Sequence, residues 1–334
     1  MQSRNNIAYL SALALLFSYA ELLLPRFTPF FRLGLANAVI LFALGMDFKS
    51  FLALCLIKSA AASVMAGTLF SPFFLVSISQ SVVSGVAMFA IAKSISPKII
   101  SRYGISMLGS AASSLVQIFL CSLYLGSGTM KLLAPMLIFS IFSGIVTAFV
   151  CEKCAPDIQA GLSSNPISHL PPAPSSDASR GRSVLKIVLL VLFSATIFMA
   201  NNQIFLCAAL IFSLVLQKVS GRRIFAIPHL FLWLFVFLSH IFVPGGKVLF
   251  HLWKLSVTDA AVATALSKSL KLSAATALSQ CAASVRFPPH TILGQTLCVF
   301  SRMTSAWEHN ELKTAPLFQR IRAVIRGGEK PLQA

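Results

Sequence analysis

The stretch LLAPMLIFSIFSGIVTAFV, residues 132–150, decides the fold class because it contains no charged side chain. As a helix it reaches about 28 Å, close to the ~30 Å thickness of a bilayer's hydrocarbon core. Five further apolar runs precede it, at residues 7–24, 33–45, 51–67, 73–92 and 105–125. The sequence therefore predicts an all-α integral membrane protein that begins with a six-helix bundle.

The composition excludes a soluble globular protein. Of 334 residues, 57% are hydrophobic and 11% charged, and the mean hydropathy is +0.83, whereas about a quarter of an ordinary soluble domain is charged. The 27 Lys and Arg outnumber the 9 Asp and Glu, for a net charge of +18. The 7 cysteines are scattered through apolar runs, which favours buried thiols over a disulfide framework.

The domain organisation follows from a change in composition near residue 154. Residues 154–182 are rich in Pro and Ser without apolar periodicity, which is typical of a linker. We therefore predict a six-helix domain at 1–153, a cytoplasmic linker at 154–182 and a second membrane domain at 183–334. The second domain has apolar runs at 184–200, 204–216 and 224–243 and amphipathic segments after 247.

Lys and Arg placement predicts the topology, since cytoplasmic loops carry an excess of both. With a cytoplasmic N-terminus, the Lys93, Lys98 and Arg102 cluster lies inside and few positive charges lie outside. One more crossing within residues 257–285 then brings the basic tail inside. We expect a multi-pass protein of the cytoplasmic membrane with both termini cytoplasmic, whose positive charge faces anionic lipid and not nucleic acid. The first run lacks a cleavage site and is predicted to stay as a helix.

Polar residues in apolar runs are the candidate binding residues, because such groups usually face protein or a water-filled cavity. Glu21, Arg32 and Asn37 flank the first outer loop and predict a polar substrate pocket, joined by Gln80 and Gln117. The alternative is an interfacial Glu21–Arg32 ion pair, with Asn37 bonded to helix backbone. Lys58 lies in the third run, where a snorkelling side chain is the more ordinary interpretation.

Small residues at four-residue spacing let membrane helices approach closely. In the first run, Ala8 and Ala12 lie on one of two such faces, which leaves room for an external partner. The similar stripes in the third and fourth runs favour packing within the chain. Cys151 and Cys154 form a single CxxC pair, and zinc needs four ligands, so no metal is predicted.

The motifs that are missing exclude several activities. The sequence has no GxxxxGK[ST] loop for ATP phosphates and no closely spaced acidic cluster for magnesium diphosphate chemistry. The chain is therefore predicted not to be an enzyme by itself and to need no cofactor.

The first domain resembles a known membrane family. Glu21-Leu-Leu-Leu-Pro25, Phe31-Arg-Leu-Gly-Leu-Ala-Asn37 and Leu41-Phe-Ala-Leu-Gly45 are similar to the Gx transporter family, also named heptaprenyl diphosphate synthase component I. The resemblance covers about residues 5–152. It implies a six-helix fold like the substrate-capture S components of energy-coupling-factor (ECF) transporters, with Ala8 and Ala12 facing the coupling subunit.

The second domain more weakly resembles the transmembrane T component of the same transporters, over about residues 184–330. Gln319-Arg-Ile-Arg-Ala-Val-Ile-Arg326-Gly327 is similar to the Ala-Arg-Gly signature that docks coupling helices on an ATPase. The resemblance implies that Arg326 and Gly327 form the coupling interface. The sequence has one such signature where the family has two.

These observations favour import of a small molecule, energised by ABC-type ATPase subunits in trans. The alternative is a non-catalytic membrane subunit of heptaprenyl diphosphate synthase in isoprenoid-quinone synthesis, which binds a lipidic diphosphate while a soluble partner does the chemistry. A third alternative is a packing or assembly protein. A pocket of Leu, Phe, Ser and amides fits vitamins, lipids or flavins equally well.

Overall fold

The computed structural model of the chain describes residues 2–23, 33–96, 98–163, 177–221, 226–241, 246–252, 255–282, 291–308 and 317–325. These residues form twelve α-helices and one antiparallel hairpin. The helices are α1 (Gln2–Leu23), α2 (Asn37–Phe42), α3 (Phe48–Ala66), α4 (Pro72–Ser94), α5 (Arg102–Leu125), α6 (Leu133–Ser163), α7 (Asp177–Met199), α8 (Gln203–Val219), α9 (Ala226–Ile241), α10 (Asp259–Ala282), α11 (Ile292–Trp307) and α12 (Leu317–Ile325). The hairpin is β1 (Val248–Leu252) with β2 (Leu255–Thr258), and 3-10 turns follow α2 (Ala43–Gly45) and precede α6 (Ser127–Leu132). The all-α membrane fold is confirmed apart from this hairpin.

Four helices in the described residues, α3 to α6, are long and apolar enough to cross a membrane. Shorter apolar segments lie in α7, α8 and α9. Large apolar side chains on these helices face outward, since Ile138 is 72% exposed, Leu75 64% and Ile204 81%. Soluble monomers rarely expose so much apolar surface, so the chain is a membrane protein whose outward face suits lipid.

Small polar residues line the helix contacts inside the bundle. Ser59 and Ser81 are buried, and the Ser81 hydroxyl donates to the Cys55 carbonyl at 3.2 Å. A Cβ on Gly85 would come within 2.7 Å of the Cys55 sulfur, so α3 and α4 approach as closely as a glycine allows. The prediction that these stripes pack within the chain is confirmed.

Helix α1 occupies the centre of the fold. Every residue from 7 to 17 is buried, as expected for a helix that is apolar on all sides. Contacts come from α2 and α3 on the N-terminal side of the chain and from α11 and α12 near its C-terminal end. The first helix is therefore enclosed by both parts of the chain.

The second apolar run forms a much shorter helix than its neighbours. Helix α2 has 6 residues and so rises only about 9 Å, followed by the 3-10 turn Ala43–Gly45. The segment begins beside Glu21, where Gly34 bonds the carboxylate, and ends at Met46, which shares a cleft with Leu10. It therefore runs antiparallel to α1, and α2 alone is too short to cross the ~30 Å hydrocarbon core.

The C-terminal helices pack around α10, which contacts α7, α8 and α9. With 24 residues α10 is about 36 Å long, and it lies where one more crossing is predicted. The turn between α3 and α4 joins this bundle to the first part of the chain. There the Phe70 N–H donates to the Ser279 hydroxyl at 2.9 Å, and the Ser194 hydroxyl donates to the Phe70 carbonyl at 2.7 Å.

The segment predicted as a linker, 154–182, is partly helical. Helix α6 continues through Pro156 to Ser163, and α7 begins at Asp177. Burial of Cys154, Asp157 and Ile158 explains the continuation, because tertiary contacts override a local preference against helix. The domain boundary itself stays a prediction, and residues 164–176 lie outside the described residues.

Candidate functional site

The C-terminal end of α1 carries an acidic side chain that binds backbone. The Glu21 carboxylate accepts hydrogen bonds from the N–H groups of Gly34 and Leu35, both at 3.1 Å. Gly34 has φ +68°, a left-handed conformation that glycine adopts without strain. This turn aims two consecutive N–H groups at one carboxylate, which fixes the start of the second apolar segment.

A lysine inside the bundle contacts the same segment. The Lys58 ammonium on α3 donates to the Asn37 side-chain oxygen at 2.6 Å, and both residues are partly buried. Together Glu21, Gly34, Leu35, Asn37 and Lys58 form what we name the α1–α3 polar cluster.

Helix α6 contacts the backbone that leads into this cluster. The hydroxyls of Ser143 and Thr147 both donate to the Leu33 carbonyl, Thr147 at 3.4 Å. Gly144, between them, packs so tightly on α5 that a Cβ there would lie 2.6 Å from the Met107 backbone. Three helices and the segment after Arg32 therefore converge on one polar region within an apolar bundle.

The start and end of α3 set the position of Lys58 along the helix. The helix begins after Asp47, whose carboxylate accepts from the Ser50 N–H at 3.0 Å, and this hydrogen bond lowers the pKa of Asp47. It ends at Gly67, which has φ +63°. Lys58 then lies about 15 Å along α3, in the interior of a candidate membrane span.

The predicted binding residues fall into two groups. Glu21 and Asn37 belong to the polar cluster, whereas Gln80 on α4 and Gln117 on α5 bond each other at 2.8 Å in a separate pair. Arg32 lies outside the described residues. The prediction of a pocket or an interfacial ion pair around Arg32 is thus not tested.

Snorkelling was the more ordinary interpretation of Lys58 from the sequence, but its ammonium bonds Asn37 within the bundle. Lys58 could have been predicted as a site residue from its position in an apolar run. An ionisable residue inside a membrane helix marks a functional site by default. That rule applied to Lys58 as much as to Glu21, which lies near a helix end.

The segment that builds this cluster is also the segment with recognisable relatives. Residues 10–154 match the family model described as heptaprenyl diphosphate synthase component I. The match confirms the resemblance proposed for the first domain and covers less than half of the chain. No curated protein and no solved structure matches the chain.

The component I match supports one of the predictions and does not reach another. Its description names one component of a synthase, which agrees with a chain that is not an enzyme by itself. The match ends at residue 154, so α7 to α12 lie beyond it, and the T-component resemblance of that part stays a prediction.

Within the matched residues 10–154, α1 makes aromatic contacts with the C-terminal part of the chain. Tyr19 makes edge-to-face contacts with Phe300 at 6.4 Å and Trp307 at 6.3 Å between ring centroids. Ala8 and Ala12 are both 0% exposed. In this conformation they are covered by the chain itself, and the interface role implied for them stays a prediction.

The predicted docking residues, Arg326 and Gly327, lie outside the described residues, just after α12. Helix α12 itself is packed against the chain, since Arg322 pairs with the buried Asp157 at 2.6 Å. Arg320 stacks on the Trp307 ring at 4.4 Å and donates to its carbonyl at 2.9 Å. The pair with Arg322 could not be predicted from the sequence, because Asp157 falls in the segment predicted as a linker.

An open cleft of about 290 Å³ lies at the opposite end of α1 from the polar cluster. It is lined by two amides and mostly apolar residues: Asn6, Leu10, Phe42, Ala43, Gly45, Met46, Gln159 and Leu162. A Cβ on Gly45 would meet nothing within 4 Å, which shows how open this side is. Within the described residues no group of three or more His, Cys, Asp or Glu could hold a metal ion.

Proposed function

We propose that the chain is the membrane part of an importer, which captures a small molecule in its first domain and is energised by ATPase subunits in trans. The observation that carries this proposal is the α1–α3 polar cluster. Taking an ammonium and a carboxylate into a membrane bundle is costly, and such residues usually mark substrate or ion pathways. Glu21 and Lys58 lie on different helices and are joined through the segment Gly34–Asn37, which suits a site that a substrate can reorganise.

The contact between α1 and α11 supports the coupling part of the proposal. In the S components that the first domain resembles, small residues of the first helix contact the coupling subunit. Here α11, from the second part of the same chain, packs on α1 through Phe300 and Trp307. Capture and coupling elements joined in one chain would transmit movement of α1 directly to α11.

Ligand retention tests the capture step. We expect the purified full-length protein to retain a small molecule detectable by mass spectrometry, and Lys58→Met and Asn37→Ala to lose it at least tenfold. Gln159→Ala is the matched control, because this amide lines the opposite cleft. Equal loss in the control, or full retention in Lys58→Met, would show that the polar cluster is not the binding site.

Co-purification tests the energy source. We expect the detergent-solubilised protein to bring down ATPase subunits from its native host, and Arg326→Glu to abolish the association and the uptake. Lys330→Glu changes a charge of the same sign four residues later and is expected to leave both intact. Absence of any ATPase subunit with the unmodified chain contradicts the coupling proposal.

A second function is favoured by the family match alone. As a component I subunit, the chain would hold a lipidic diphosphate for a soluble prenyl synthase partner, since it lacks acidic clusters for magnesium. Co-purification of a trans-prenyl synthase, with product chains shortened when the membrane chain is removed, would support this function over import.

A further inference from the structure

Two lysines of α10 lie beside the C-terminal ends of α5 and α7. The Lys268 ammonium lies over the Tyr124 ring at the end of α5, 5.9 Å from the ring centre. The Lys271 ammonium donates to the Phe198 carbonyl at 3.0 Å and to the Asn201 side-chain oxygen at 3.2 Å. The Tyr124 and Phe198 rings meet edge-to-face, with 6.0 Å between their centroids. Both lysines therefore border one small region, and we name these five residues the α10 basic site.

The positive charge of this site is not balanced by a carboxylate. Among the described residues, Lys268 forms neither a hydrogen bond nor an ion pair, and both acceptors of Lys271 are uncharged. The two lysines are three residues apart on one helix, so they are neighbours on its surface and their charges repel each other. Both residues are partly buried, and partly buried charges are screened less than exposed ones. An anion held between the two ammonium groups would offset this repulsion.

The surface beside the lysines suits a lipid better than a soluble anion. Leu123 and Met199, the chain neighbours of Tyr124 and Phe198, are 69% and 84% exposed. A soluble phosphate would contact only the lysines, whereas a phospholipid also covers these apolar side chains with its acyl chains. Basic pockets between membrane helices are sites at which the headgroups of anionic lipids bind.

We propose that the α10 basic site binds the phosphate group of an anionic phospholipid, with Lys268 and Lys271 as the donors. An ammonium has three N–H groups, so Lys271 keeps one after its two bonds and Lys268 offers all three. Hydrogen bonds between ammonium groups and phosphate oxygens are charge-assisted and therefore strong. The bound lipid bridges α10 to the ends of α5 and α7. The site shares no helix with the α1–α3 polar cluster, so this proposal does not depend on the proposed import function.

Native mass spectrometry of the delipidated full-length protein, titrated with phosphatidylglycerol, measures the affinity of the site. Each lysine near an anionic headgroup strengthens binding about fivefold, so Lys268→Met should weaken it about fivefold and the double variant with Lys271→Met about twenty-five-fold. Lys93→Met is the matched control, because Lys93 also lies over a ring, that of Phe89 at 5.6 Å, but is exposed and has no second lysine within one helical turn. Equal weakening in the control, or unchanged binding in the double variant, overturns the proposal.

Thermal unfolding distinguishes a lipid site from a purely structural role of the lysines. Because Lys268 makes no hydrogen bond within the described residues, Lys268→Met should leave the Tm of the lipid-free protein nearly unchanged. Phosphatidylglycerol should raise the Tm of the unmodified protein, since a ligand that binds only the folded state stabilises it, and Lys268→Met should lose most of this gain. An equal gain in both proteins shows that the lipid acts elsewhere and overturns the proposal. A gain of the same size from inorganic phosphate alone shows that the site binds a soluble anion, which also overturns it.

Discussion

Replacement of Glu21 by Gln tests whether the polar cluster holds the fold at this level of the bundle. The carboxylate accepts from two backbone N–H groups, and the amide that replaces it offers only one oxygen. One charge-assisted hydrogen bond is therefore lost, and one N–H group loses its acceptor. Such a bond contributes about 1.5–3 kcal/mol to the free energy of unfolding. Glu21→Ala removes both bonds, so its loss should be about twice as large, or about 3–6 kcal/mol.

Equilibrium unfolding of the purified protein in a mild detergent measures both losses, and ligand retention measured in parallel reports on binding. Glu152→Gln is the matched control, because this exposed carboxylate accepts one bond, from the Tyr103 hydroxyl at 2.9 Å, which an amide oxygen still accepts. We expect the control to change stability by less than about 0.5 kcal/mol. If Glu21→Gln and Glu152→Gln prove equally mild, the carboxylate does not anchor the segment and the reasoning fails.

Further substitutions probe packing and the second polar pair. Trp307→Ala should destabilise the chain by about 3–5 kcal/mol because this side chain is 2% exposed against α1, and denaturant unfolding checks it. Gly144→Ala should lower the Tm strongly because its Cβ would meet the α5 backbone at 2.6 Å, whereas Gly45→Ala should not, since that Cβ meets nothing. Gln80→Leu with Gln117→Leu should change stability by less than about 1 kcal/mol, because interhelical side-chain hydrogen bonds in membranes average about 0.6 kcal/mol; a double-mutant cycle with a coupling above 2 kcal/mol contradicts this.

The positions of the helices could be predicted from the sequence because they depend on local composition. Runs without charge, such as 132–150, form helices wherever they occur in a bilayer, and the small residue Gly85 marks a close helix contact without any knowledge of the partner. The same local information identified Glu21 and Asn37 as polar residues in apolar surroundings.

Long-range pairings could not be predicted from local pattern. Asp157 follows Pro156, which indicates a loop, yet the helix continues and Arg322 meets the carboxylate from 165 positions later. Likewise the enclosure of α1 depends on neighbours that include α11, near the end of the chain. A single sequence carries no signal for such contacts, because their strength depends on three-dimensional packing.

The enclosure of α1 by the last helices has a consequence for synthesis. Tyr19 and Phe300 are about 280 residues apart, so at 5–20 residues per second the ribosome makes the second roughly 14–56 s after the first. During that interval α1 lies in the bilayer without its contact with α11. A membrane chaperone or the insertion machinery has that time in which to shield α1. Chains truncated before residue 292 lack α11 and would leave α1 permanently open to degradation.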